Sequence, residues 1–311
     1  MRQPPVSLVC GFMQDFRRAL WVALCFATSA HARESPYATQ VVAFNPGVGA
    51  AFGYTNSSSV LGSPERFTGE GLIPQCVTPF QPAFLQNEIV SLGVGGFVTI
   101  EFDHDVMNDP RNAYGADLLV FGNAFFTDQG GAVIAGLASE PGTLEVSQDG
   151  IVWFTVLGVG PESLFPTQGF LDVGAYGVVA GNAFSDFTKA VDPAHTMKDL
   201  VGLDYENLQL HYGNSGGGVG IDLGALQLDW VRFVRARGAT VSGQSPEVDA
   251  FADVSPESAL EDLDADGIVG ATDLAMLLGA WETRGDIADI DGDGTVGATD
   301  LARMLGAWSS T

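Results

Sequence analysis

Apolar and polar positions follow two different periods along this chain, and the change of period divides it. From about residue 37 to 238 the apolar runs are short, rich in Val, Ile and Phe, and separated by glycine turns. Phe97–Phe102 (FVTIEF) alternates with period two, as a strand buried on one face does. Leu118–Phe126 (LLVFGNAFF) is nearly continuous, which predicts a strand buried on both faces and then a Gly-Asn turn. Thr143–Val156 (TLEVSQDGIVWFTV) predicts a hairpin, with Asp149-Gly150 supplying the positive-φ turn. Leu228–Arg237 (LDWVRFVRAR) reads as the terminal strand that closes the domain. Helical spacing is confined to one segment, about Met197–His211. Turn signals recur at Asn45 (NPGVG), Gly93 (GVGG), Ser147 (SQDG) and Gly213 (GNSGGG). Short strands at regular spacing, without alternating helices, predict a mainly β fold: a jelly-roll-like β-sandwich over 37–238.

The period changes near residue 261. There the chain reads DLDADGIVGATDLAMLLGAW from Asp262 to Trp281, then DIDGDGTVGATDLARMLGAW from Asp289 to Trp308. The copies agree at 15 of 20 positions with an offset of 27 residues, and each runs into an apolar helix. Each opens with acids at loop positions 1, 3, 5 and 12 and glycine at position 6, the oxygen spacing of an EF-hand-type calcium loop. Ca²⁺ is a hard cation that takes about six to eight oxygens at roughly 2.3–2.6 Å. The glycine allows the positive-φ turn that folds three nearby carboxylates around one point. The spacing assigns ligands by role. In the first loop these are the side chains of Asp262, Asp264 and Asp266, the carbonyl of Ile268, and Asp273. In the second they are Asp289, Asp291, Asp293, Thr295 and Asp300. Position 9 is Gly270 or Gly297, which leaves that ligand to water. Two Ca²⁺ ions are therefore expected in this module, 261–311.

Two further segments bound the picture. Residues 239–260 are rich in Ser, Pro, Ala and acids and read as a linker, with an ordered strap on the sandwich as the alternative. At the other end, Arg17 and Arg18 precede the apolar run ALWVALCFATSA and Ala30-His31-Ala32, the pattern of a signal peptide cleaved after Ala32. That run is too short to span a bilayer, for which about 20 residues are needed. Export is expected, to the extracellular space or cell surface.

The chain carries 13 basic and 38 acidic residues, a net charge of −25, which excludes nucleic acid and anionic membranes as natural partners. Of this, 13 acids and 2 bases fall from Phe251 onward, as divalent-ion loops require. Cleavage would remove Cys10 and Cys25 and leave Cys76, so no internal disulfide is available and Cys76 reads as a small buried hydrophobe.

The duplicated C-terminal loops resemble a dockerin, the calcium-dependent docking module of secreted polysaccharide-active proteins. The likeness rests on the duplication, Asp at position 12, Val269 and Val296 at position 8, and DLA followed by Leu. It implies half-EF-hands, each a loop before one helix, and a cohesin-like protein partner read by positions 10 and 11. Those positions are Ala271 and Thr272, then Ala298 and Thr299. Near-identity of the copies implies two binding modes related by a half-turn. Where the best-known dockerins carry a basic pair late in the helix, this chain has Leu278-Gly279 and Leu305-Gly306. Trp281 and Trp308 read as packing between the helix ends. The segments EVSQDGIVW and WVRFVRA resemble discoidin-like and galactose-binding-like sandwiches. Such folds imply glycan contacts through loops at one end and one more, structural calcium; Asp103, Asp105, Asn123 and Asp128 are the candidates here.

No catalytic signature stands out. GNSGG around Ser215 looks like a serine-protease loop, and His104 and Asp117 precede it in order, but the flanking context and disulfides are missing. The expectation is a secreted, calcium-binding, non-catalytic glycan- or surface-binding protein of polysaccharide degradation or surface assembly. The alternatives are a polysaccharide-active hydrolase localised by its tail and a purely structural surface protein.

Overall fold

The computed structural model describes residues 35–69, 76–254, 261–263, 269–284, 287–291 and 293–308. The expected signal peptide at 1–32, residues 255–260, and the loop positions Asp264, Asp266 and Ile268 lie outside the described residues.

The body is mostly β. In chain order its first strands are β1 (Gln40–Asn45), β2 (Val90–Ser91), β3 (Phe97–Met107) and β4 (Leu118–Gly122). They are followed by β5 (Phe125–Asp128), β6 (Ile134–Ala138), β7 (Thr143–Ser147) and β8 (Phe154–Val156). Helices α1 (Met197–Leu200) and α2 (Tyr205–Tyr212) precede β9 (Val219–Ile221), β10 (Trp230–Arg237) and β11 (Glu247–Asp253). Helices α3 (Ala271–Gly279) and α4 (Ala298–Gly306) end the described chain. Pairing among these described strands is antiparallel: a five-stranded sheet β1-β3-β10-β7-β8, a four-stranded sheet β2-β11-β4-β9, and the ribbon β5-β6.

The two larger sheets share one core. Val98, Ile100 and Phe102 of β3, Val146 of β7 and Val234 of β10 pack in one cluster with Leu118 and Val120 of β4, Ile221 of β9 and Phe251 of β11. The near-continuous apolar run is explained by β4 being covered twice. Its Leu119 and Phe121 face the other way and pack with Ala250, Ala252 and Phe187. The long stretch between β8 and α1 has little regular structure and still supplies Phe165 and Val191 to a further buried cluster with Leu200, Leu208 and Tyr212.

Four expectations change. The stretch read as linker contains β11, which sits inside the four-stranded sheet between β2 and β4. Small residues and three acids, Glu247, Asp249 and Asp253, disguised it. Asp249 is fully buried, accepts the Glu65 amide on both oxygens at 3.1 and 3.3 Å, and is held well above the usual carboxylate range by that burial. For the same reason β10 is not a terminal strand: the chain crosses from it into the other sheet, and β10 lies between β3 and β7. The hairpin β7–β8 is present, but pairing stops at Val146–Phe154 rather than at the Asp-Gly pair. Asp149 Oδ1 takes the amides of Ile151 and Val152, each at 2.8 Å, which widens the turn. Trp153 then lies beneath the Arg235 guanidinium, 3.6 Å from ring centroid to Cζ. The single helix is two: Gly202 at φ +89° breaks it, and Asp204 caps α2 by accepting the Asn207 amide at 2.9 Å.

If β11 is core rather than linker, Phe251→Ala should lower the unfolding free energy of the full chain by about 3–5 kcal/mol. A linker phenylalanine would cost less than about 0.5 kcal/mol. Urea unfolding of the two chains separates these outcomes.

Candidate metal centre

The second C-terminal loop is described almost completely. The carboxylates of Asp289, Asp291 and Asp293 each place an oxygen within 4.8 Å of the others. Backbone amides turned into the loop hold them there. Gly294 N donates to Asp289 Oδ2 at 2.9 Å, Asp293 N to Asp291 Oδ1 at 3.0 Å, and Thr295 N to Asp293 Oδ1 at 2.9 Å. Gly294, at loop position 6, has φ +94°, the left-handed conformation for which glycine was needed there. One oxygen has no protein partner: Asp289 Oδ1 is buried and accepts no hydrogen bond among the described residues. A buried carboxylate oxygen without a donor is costly, and a hard cation would satisfy it. The donor set, all oxygen, suits Ca²⁺.

Asp300 behaves differently from the other acids. It is buried, and burial works against its ionisation, but the amides of Asp291 and Gly297 outweigh that and keep its carboxyl below the usual range. These bonds are 3.0 Å to Oδ1 and 2.7 Å to Oδ2. It thus fastens the start of α4 to the loop and is not among the three converging carboxylates. Asp273 repeats the arrangement in the first copy, accepting from Leu263 N at 2.8 Å and Gly270 N at 2.7 Å. Asp262 of that loop is buried.

The two copies share a small core of Val269, Leu277, Ile290, Val296 and Met304. A short backbone ladder ties the end of α3 to the second loop, with Glu282 N donating to Val296 O and Val296 N to Thr283 O. Ala271, Thr272, Ala298 and Thr299 are all exposed on the first turns of their helices. Trp281 and Trp308 are 38% and 40% exposed and lie outside this core, contrary to the expectation. Ala280 and Ala307 occupy the helix-end packing positions instead, so the larger rings are left at the surface.

Residues 260–306 match the family model of the dockerin type I domain. No curated protein matches the chain.

The acids suggested for a further cation in the sandwich do not meet. Asp103 and Asp253 both bind His104, at 2.8 and 2.9 Å, and these two carboxylates hold the imidazole pKa up at about 9 against its burial. Asp105 pairs with Arg232 at 2.8 Å. Asp128 accepts the amides of Gly130 and Val133 and the Tyr176 hydroxyl. Asn123 alone touches a carboxylate cluster, one that sequence reasoning missed: Glu140, Glu162 and Glu247. No spacing signal could have found it, since its members come from three distant segments. Donors surround it. Glu162 accepts the amides of Glu140 at 2.6 Å and Glu247 at 2.7 Å, and the Asn123 amide nitrogen donates to Glu162 at 3.0 Å and Glu247 at 3.2 Å. The serine-protease likeness dissolves as well. Ser215 is fully buried, with its Oγ donating to Lys189 O at 2.5 Å and accepting the Gly217 amide. Cys76 is likewise buried, and burial pushes its thiol pKa up.

Burial raises the Glu162 carboxyl to about 7, and burial together with the Glu162 charge raises Glu247 to about 8. The folded state therefore binds protons that the unfolded state has released. Stability from this cluster is present below about pH 4.5 and is lost as pH rises through about 7–8. The melting temperature of the full chain should fall across that window. Glu162→Gln should start lower at pH 5 and fall less by pH 8, a difference on the order of 2–3 kcal/mol. Parallel slopes would place the titration elsewhere.

Proposed function

We propose that this chain is a secreted dockerin-bearing protein whose tail binds two Ca²⁺ ions and docks into a cohesin-like partner. On this reading the β-sandwich is the cargo, a non-catalytic glycan- or surface-binding unit of extracellular polysaccharide degradation or surface assembly. The observation that carries it is the dockerin match at 260–306 on a segment whose second loop gathers Asp289, Asp291 and Asp293 around a buried oxygen lacking a donor. In the first loop the ligands are Asp262, Asp264, Asp266, the Ile268 carbonyl and Asp273. In the second they are Asp289, Asp291, Asp293, the Thr295 carbonyl and Asp300. Ala271, Thr272, Ala298 and Thr299 are the partner-reading positions, and their exposure supports this. Leu278 and Leu305, 53% and 54% exposed at matching places, lengthen that surface with apolar rather than basic side chains. A cohesin face suited to this tail is correspondingly apolar.

Export is part of the same proposal, with Met1–Ala32 as the signal peptide. No helix among the described residues is long and apolar enough to cross a membrane.

The full chain should lose helical circular dichroism in chelator and regain it with Ca²⁺, because binding free energy here is folding free energy. Calorimetry should give two ions per chain, and Asp266→Ala or Asp293→Ala should each remove one. Retention on an immobilised cohesin should follow Ca²⁺ and vanish in chelator. Spectra unchanged by chelation would refute the metal reading. Retention indifferent to Ca²⁺ would refute the docking reading. Turnover of a polysaccharide by the chain would move the sandwich from binding module to hydrolase.

A further inference from the structure

Five non-glycine residues in the described chain have positive φ, and two of them line one cavity: Tyr114 (φ +60°) and Phe165 (φ +71°). Left-handed backbone is unfavourable for aromatic residues and persists only where surrounding structure over-determines it. The cavity measures about 360 Å³ and is open to solvent, within the usual range for small-molecule sites. Around its rim stand Tyr114, Ser163, Phe165, Pro193, His195 and Asp222.

Each wall is held by long-range bonds. Buried Asp117 accepts the amides of Asp109 (3.0 Å) and Leu223 (2.9 Å) and the Asn112 side chain (2.8 Å). This one carboxylate clamps the loop that carries Tyr114 to the strand end that carries Asp222. On the opposite wall, Gly218 N donates to Phe165 O at 2.9 Å and the Tyr212 hydroxyl to Pro166 O at 2.8 Å. A Cβ on Gly217 would lie 2.4 Å from Pro166 O, so the glycine run lets the strained Phe165-Pro166 turn approach. His195 stands edge-on to Phe165 with ring centroids 6.0 Å apart, and its Nε2 lies 3.2 Å from His211 Nδ1. Its other ring nitrogen makes no hydrogen bond among the described residues.

The lining selects a ligand class. Among the described residues it contains no Lys or Arg, and the chain carries net charge −25, so an anion is disfavoured. Asp222 is exposed and commits only Oδ1, to the Ala225 amide at 3.0 Å. Its other oxygen is an acceptor for hydroxyl donors. Tyr114 is 57% exposed and offers a ring face at the same opening. A carboxylate, an imidazole and a hydroxyl beside aromatic and proline surfaces match a ring with hydroxyls on its edge and C–H groups on its face. We propose that this cavity binds one pyranose unit of a neutral glycan, with Asp222 accepting from ring hydroxyls and Tyr114 packing on the sugar face. This rests on the reading of the sandwich as a glycan-binding unit and assigns that binding a place and a charge class.

The test is calorimetry and saturation-transfer NMR of the full Ca²⁺-loaded chain with D-galactose, D-glucose, D-xylose, D-mannose, cellobiose and lactose at millimolar concentration. D-glucuronate and D-glucosamine serve as charged counterparts. At least one neutral sugar should bind. Tyr114→Gly and Asp222→Asn should each weaken it by roughly tenfold or more. Tyr114→Gly should keep or raise the melting temperature, since it relieves the left-handed strain while losing the ligand. Equal binding by wild type and both variants would overturn the placement and leave the glycan reading standing. Preference for glucuronate or glucosamine would overturn the neutral class. Silence toward every sugar, with the chain still retained on insoluble polysaccharide, would overturn the pocket alone. Silence together with no retention would overturn both.

Discussion

Insertion of β11 between β2 and β4 is the contact on which the two-sheet body depends. β2 is only two residues long and pairs with β11 alone, so without that strand the four-stranded sheet reduces to β4 and β9. One strand also joins the two larger sheets and the outer face of β4. Phe251 enters the shared core, Ala250 and Ala252 pack on the outer face with Phe187, and Asp253 binds His104 of β3. Glu247 meets Glu162, and Asp249 receives the amide of Glu65 from 184 residues away. Among the described strands, the last in sequence is the one that completes the four-stranded sheet.

Acidity in this chain has several physical uses, and burial decides between them. Asp249, Glu162 and Glu247 are withdrawn from water, so their neutral forms are favoured and they act as hydrogen-bonding crosslinks. Asp149, Asp204 and Asp300 accept backbone amides at turns and helix starts, which fixes local geometry, and for Asp149 and Asp300 those amides favour the charged form. Asp289, Asp291 and Asp293 converge, where like charges repel unless a cation lies between them. The same side chain is therefore a proton store, a cap or a member of a converging cluster according to how many amides and how much water surround it.

The parts legible in advance were those whose partners lie close in sequence. The converging aspartates, the glycine at position 6 and the acid at position 12 fall within one loop, so spacing alone places them. The strands β3, β4 and the β7–β8 hairpin were readable from period and run length. The turn of that hairpin was not, because Asp149 chose two amides ahead of it over the two-residue turn its neighbour allowed. Asp103, Asp105 and Asp128 were plausible ligands by position, yet each had a nearer partner in His104, Arg232 or the Gly130 and Val133 amides.

By itself the sequence determined the oxygen-ligand spacing of the tail loops, the β character of the body and the dockerin likeness. These depend on local spacing, which survives whatever the rest of the chain does. Only the tertiary structure decided that 247–253 is a core strand, that Trp281 and Trp308 stand at the surface, and that Ser215 is a buried turn hydroxyl. It alone brought Tyr114, Phe165, His195 and Asp222 around one cavity. Those outcomes turn on contacts between residues tens to hundreds of positions apart and on backbone angles that residue type does not announce. Burial, not composition, set what each of those side chains could do.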